Sequence, residues 1–203
     1  MERSGIGRIM SIIVVLIVIV IAVAALISLG RTLFSDTGGG NGEAPVNNGK
    51  QALTSTLADR SVRMTVRGPI VADEEFHSYT ITVSPSTRIM TTYVGYMGQQ
   101  LKTQQLENNT QAYEQFVFAL DRANLMEGTP LAGEANDTRG ICATGHVYEF
   151  DVLQGDNSVQ KLWTSTCQGS KGSLIASVQQ VSRLFRVQIP TFSELIRGLN
   201  LSA

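Results

Sequence analysis

The chain predicts an α+β fold carried on a single N-terminal transmembrane helix, and three features of the sequence carry that prediction. From Ile9 to Leu29 it reads IMSIIVVLIVIVIAVAALISL, with no charged residue between Arg8 and Arg31. At about 1.5 Å of rise per residue such a run matches a hydrocarbon core roughly 30 Å thick. Downstream, short segments alternate apolar and polar residues and are separated by Gly, Pro, Ser and Asp rather than by helical crossovers, which is the pattern of antiparallel strands. Two further segments repeat apolar residues at three-and-four spacing, the stripe of an amphipathic helix. Together these predict one mostly antiparallel sheet with two amphipathic helices packed on one face.

The first element is the anchor. MERSGIGR is a basic lead, and Ala22-Val23-Ala24 has the small residues of a signal-peptide cleavage site. The apolar run continues past Ala24 through Leu26, Ile27 and Leu29, whereas a cleavable signal turns polar there, so the run reads as an uncleaved anchor. Arg3 and Arg8 precede it and Arg31 alone follows closely. The positive-inside rule then makes residues 1–8 a cytoplasmic tail, 9–29 the transmembrane helix, and everything after it extracytoplasmic. Residues 30–51 include SDTGGGNGEAPVNNGKQ, Gly- and Asn-rich without apolar periodicity, and read as a flexible linker. Residues 52–203, about 150 in all, suit one domain with one core.

Within that domain a short lead-in helix is expected over Lys50 to Arg60 through Leu53 and Leu57. Val62, Met64 and Val66 alternate with Ser61, Arg63, Thr65 and Arg67, and Gly68-Pro69 ends that strand. After the acidic turn ADEE, Tyr79, Ile81 and Val83 share a strand face, and SPS turns the chain into RIMTTYVGYM. Beyond Gly95 and Gly98 the pattern reads as the same strand continuing, bulged, to Leu106, with an amphipathic helix over GQQLKTQQL as the alternative. Tyr113, Phe116, Val117, Leu120 and Ala123 then mark a helix that Asn108 or Asn109 can cap. Glu127 to Gly140 reads as a long exposed loop. Near the C-terminus, Leu174, Val178, Val181 and Leu184 or Phe185 mark the second helix, Gln188-Ile189-Pro190 stops it, and Thr191 with Glu194 forms a capping box for a last short helix ending at Gly198.

Cys142 and Cys167 are the two cysteines, and they bracket a hairpin pattern. HVYEFDVLQ places Tyr148, Phe150 and Val152 on one face, Gly155-Asp156 supplies the turn, and SVQKLWTST returns with Val159, Lys161 and Trp163. A hairpin centred on that turn sets Trp163 opposite Tyr148 and brings the cysteines near each other, close enough for a disulfide if Gly145 bulges or bends the first strand. An oxidising, extracytoplasmic setting preserves such a bond. A zinc site of Cys142, His146 and Cys167 lacks a fourth ligand.

Motifs with chemical potential each meet a plainer reading. WTSTC resembles the sortase signature TLxTC at Thr166 and Cys167, and an N-terminal anchor before a β-rich domain resembles sortases in outline. That resemblance implies a free cysteine nucleophile with a distant His and a following Arg, but His146 is only a hairpin away and a disulfide consumes Cys167. Ser158-Val159-Gln160-Lys161 spells S-x-x-K, yet on a regular strand residues three apart face opposite ways. Gly169, Ser170, Lys171, Gly172 and Ser173 join a strand to a helix and form a possible anion-binding loop, or else a connector in which Ser170 or Ser173 caps the helix. Asp73, Glu74 and Glu75 beside His77 read as a solvated turn.

A net charge of -1 with scattered arginines offers no field for nucleic acid. Sequons begin at Asn108, Asn136 and Asn200 and bear on glycosylation only in a eukaryotic secretory pathway. No cofactor or metal is expected. The expected function is a non-catalytic interaction or scaffolding domain of the cell envelope, single-pass in the membrane, with a protein or other envelope component as partner. A subunit of a secretion or surface-fibre assembly is the alternative. An unrecognised envelope enzyme is the third reading, and it requires a pocket holding His77 or His146 beside a carboxylate.

Overall fold

The computed structural model describes residues 48–201, so the anchor over Ile9 to Leu29 and most of the linker lie outside the described residues. Among the described residues no helix is long and apolar enough to cross a membrane. The fold is α+β, built on one antiparallel six-stranded sheet. The strands are β1 (Arg60–Arg67), β2 (His77–Val83), β3 (Thr87–Val94), β4 (Gln99–Glu107), β5 (Val147–Gln154) and β6 (Asn157–Ser165). Their spatial order is β4-β3-β2-β1-β5-β6. Four strands form a meander, the chain then crosses by a helix and a long loop, and the cysteine hairpin is laid against β1.

The alternation read from the sequence sets the core. Val62, Met64 and Val66 of β1, Tyr79, Ile81 and Val83 of β2, and Tyr148, Phe150 and Val152 of β5 are buried on one face. Against them pack helices α1 (Asn48–Thr54), α2 (Thr110–Arg122) and α3 (Val178–Arg186). Tyr113, Phe116, Val117 and Leu120 of α2 and Val181 and Phe185 of α3 belong to the same cluster. Phe185 meets Phe116 edge-on at 5.2 Å between centroids and lies 5.9 Å from Phe150, tying both helices to the sheet. Asn109 caps α2 by accepting from the Ala112 amide at 2.9 Å.

Several expectations are corrected. The lead-in helix begins at Asn48, inside the stretch read as linker, and ends at Thr54; Leu57 beyond it is exposed. The segment after Gly95 is neither a continuation of β3 nor a helix. Gly95 and Gly98 adopt φ of 73° and 70° and turn the chain into a separate strand, β4, antiparallel to β3. Those left-handed values are open to glycine at little cost, and two glycines three apart therefore mark a hairpin. At the other end, Ser177 caps α3 by accepting from Gln180, not Ser170 or Ser173. The expected capping box at Thr191 and Glu194 is not made, because the Thr191 hydroxyl donates instead to Gln104 of β4; the last short helix, α4, spans Phe192–Leu195.

The cysteine hairpin keeps its turn but shifts its register. Glu149 pairs with Trp163 and Tyr148 with Thr164, because the pairing slips between Val152 and Leu153 and leaves Val159 as an extra residue on β6. One added residue changes the face of everything beyond it. Leu162, opposite Phe150, becomes the core residue of β6, and Lys161 and Trp163 turn to the other side of the sheet.

Candidate functional site

The sheet face opposite the helices is where the polar half of each strand collects. On β1 and β5 it carries Arg63, Arg67, Glu149 and Asp151, and on β6 Lys161. Glu149 and Asp151 are each only 4% exposed, and buried carboxylates persist only when paired. The Glu149 carboxylate meets Arg67 Nε at 2.8 Å, the Lys161 ammonium, and the Thr138 hydroxyl, which donates at 2.8 Å. Asp151 accepts from Arg63 at 3.3 Å and from the Ser158 hydroxyl at 2.8 Å. Burial pushes the Glu149 pKa up, but the Lys161 hydrogen bond, the charges of Arg67 and Lys161 and the Thr138 hydroxyl outweigh it and hold the group below its ordinary value.

The loop after α2 covers this network. Glu127 to Gly140 is largely exposed, as its composition implies, but Thr138 is 4% exposed and closes over Glu149. Cys142 and Cys167 anchor the end of that loop, their Sγ atoms 2.08 Å apart and their Cα atoms 5.4 Å apart. The bond needs Gly145, though the residue precedes β5 and does not bulge within it: a Cβ there would stand 2.2 Å from Thr166 Oγ1 and 3.0 Å from Cys142 Sγ.

Between the Thr138-to-Cys142 strap and the end of β1 lies a cavity of about 310 Å³. Ile70, Phe76, Tyr96, Ile141 and Val147 supply its apolar wall, and Arg67 and Arg139 are its charged lining residues. Phe76 and Tyr96 stack at 4.2 Å between centroids. The Tyr96 hydroxyl donates to the Val71 carbonyl at 2.7 Å and accepts from its amide at 3.1 Å, which pins the β1–β2 loop to the β3–β4 turn. Ile70, Tyr96 and, beside it on the turn, Met97 are 46, 51 and 96% exposed, so apolar surface continues outward from the mouth. A second cavity of about 210 Å³ shares Arg67, Phe76 and Tyr96 and is otherwise lined by hydroxyl-bearing Thr65, Ser78, Thr80 and Tyr93, with Gly95 and Gly98.

The candidates predicted from local sequence fall elsewhere. In the loop from Gly169 to Ser173 the Ser173 and Leu174 amides donate to the Trp163 carbonyl, Ser173 Oγ accepts from the Trp163 amide, and Ser170 Oγ donates to the Ile141 carbonyl. The loop therefore covers the outer edge of β6, and α3 begins well after it, at Val178. The bulge at Val159 sets Ser158 and Lys161 on one face, contrary to the regular-strand expectation, yet each is bonded to a carboxylate, Asp151 and Glu149 respectively. The His77 carbonyl accepts from the Gly68 amide at 3.0 Å, His146 Nε2 lies 3.3 Å from the Asn200 carbonyl, and neither histidine lines the cavity. Among the described residues no group of three or more His, Cys, Asp or Glu could hold a metal ion. Asp73 instead accepts from the Tyr96 amide at 2.8 Å.

The cavity residues escape a sequence reading because they come from three stretches far apart along the chain, residues 67–76, Tyr96 and residues 138–147. The local signals are Ile70 and Val71 just after Gly68-Pro69, and Tyr96-Met97 between the two turn glycines. No family model matches this chain, and no curated protein does.

Proposed function

We propose that the protein is a non-catalytic interaction domain of the cell envelope, anchored by residues 9–29 and displayed outside the membrane, which docks a protein partner at the apolar cavity mouth. The observation that carries this reading is the continuity of exposed Ile70, Tyr96 and Met97 with the cavity lined by Phe76, Ile141 and Val147. Apolar surface rimmed by polar residues and leading into a concavity is the usual form of a recognition site. Support for the outward placement comes from the arginine bias around the apolar run and from the Cys142–Cys167 disulfide, a bond that persists on the oxidising side of a membrane.

A photo-crosslinking residue placed at Ile70 or Met97 in intact cells should trap a defined partner, while one at Gln105 on β4 should not. Equal trapping at all three positions would sink the assignment of this surface. Alkaline phosphatase fused after residue 201 should be active and β-galactosidase inactive if the domain lies outside.

A further inference from the structure

We propose that the cavity receives the C-terminal residue of the partner polypeptide, an apolar side chain whose free α-carboxylate is held by Arg67. This deepens the docking reading above and rests on it.

The size of the cavity fits such an occupant. A cavity of roughly 150 Å³ takes a benzene ring, so about 310 Å³ suits about a dozen non-hydrogen atoms, the size of one large apolar residue with its carboxylate. Charge points the same way. Arg63, Arg67 and Lys161 face only Glu149 and Asp151, while Arg139 is matched by Asp137. Among the described residues that cluster holds three cations against two carboxylates, and Arg67 is its member that reaches the cavity, whose described lining holds two arginines and no carboxylate. Arg67 meets Glu149 through Nε, and among the described residues its Nη groups donate no hydrogen bond, which leaves the outer edge of the guanidinium for a two-oxygen acceptor. Room for a chain, and not only for its end, comes from the neighbouring cavity. The hydroxyl-lined space of Thr65, Ser78, Thr80 and Tyr93 opens from the same Arg67, Phe76 and Tyr96 wall. It offers hydrogen bonds to the main chain of the preceding residues, and a small free carboxylate would leave it unused.

The test uses the full chain in lipid nanodiscs with a fluorescent Gly-Gly-Gly-Phe peptide, prepared as the free acid and as the C-terminal amide. The acid should bind at least about tenfold more tightly than the amide. Arg67→Gln should erase that preference. Ile141→Trp, which fills the cavity and leaves Arg67 in place, should abolish binding of both forms. The acid-to-amide ratio on the unaltered protein stands even if the Arg67 variant fails to fold. Equal binding of acid and amide would overturn the proposal. So would 3-phenylpropanoate competing as strongly as the peptide acid, since the occupant would then be a free carboxylate. If Ile70 and Met97 crosslink a partner while the acid shows no preference, only this inference falls; if neither crosslinks, the docking reading falls with it.

Discussion

Strands β2 and β5 flank β1 in one sheet and carry similar alternating sequences, yet they occupy different environments. In β2 only Tyr79, Ile81 and Val83 are buried, and Ser78, Thr80 and Thr82 between them remain partly open. In β5 every residue from Val147 to Leu153 is buried, the charged Glu149 and Asp151 included. The core side is the same for both. What differs is the opposite side, which over β5 is roofed by the disulfide-held loop and over β2 is more open. Alternation thus reports which face meets the core, while the fate of the other face depends on chain that arrives from elsewhere. Once the roof excludes water, a face that would be a solvated polar surface becomes a set of ion pairs that must be complete.

The largest test of this contrast is a substitution on each strand within the same cross-strand row. Glu149→Ala leaves Arg67, Lys161 and Thr138 without their acceptor and should cost about 3 kcal/mol in denaturant unfolding. Removing the roof's staple by replacing Cys142 and Cys167 with serine should cost a similar ~3 kcal/mol. Hydrogen exchange should then rise at Ile70, whose amide donates to Ala143 of that loop, and stay unchanged along the β2–β3 ladder. Uniform loss of protection would break the comparison.

Gly145→Ala comes next, at about 1–2 kcal/mol, because its methyl would press on Thr166 Oγ1, which accepts from the His146 amide. Acid sensitivity should also separate the two regions. The folded pKa of Glu149 lies below its ordinary 4.5, so the folded state gives up that proton more readily than the unfolded one. Its contribution is whole above the unfolded pKa and is lost as pH falls through the folded value. Unfolding measured at descending pH should therefore show less loss in Glu149→Gln; an unchanged slope would mean that Glu149 is not the linked group. Smallest of all, Thr80→Ala on the open side, in the row of Glu149, should shift stability by less than about 0.5 kcal/mol.

Legibility followed range. The faces of β1, β2 and β5, the stripe of α2 and its Asn109 cap could be read because each depends on residues within one segment. The disulfide partners could be read because one hairpin brings them together. The hairpin register could not, since a single extra residue at Val159 costs little locally and is chosen by which side chain, Leu162 or Trp163, fits the core. The same holds for Thr191, which signalled a cap but found Gln104 on a distant strand.

By itself the sequence determined an α+β class, the core-facing residues of β1, β2, β5 and α2, and the cysteine pair, because period and spacing are local properties that burial then enforces. It also set the expectation of an anchor over residues 9–29. Only the tertiary structure decided that Glu149 would be buried and triply partnered, and that Phe76, Tyr96, Ile141 and Arg67 would line one cavity. Those outcomes come from separate stretches of chain meeting at one end of the sheet. Pairwise proximity across such distances leaves no periodic mark on the sequence, since what selects it is exclusion of water from the assembled surface.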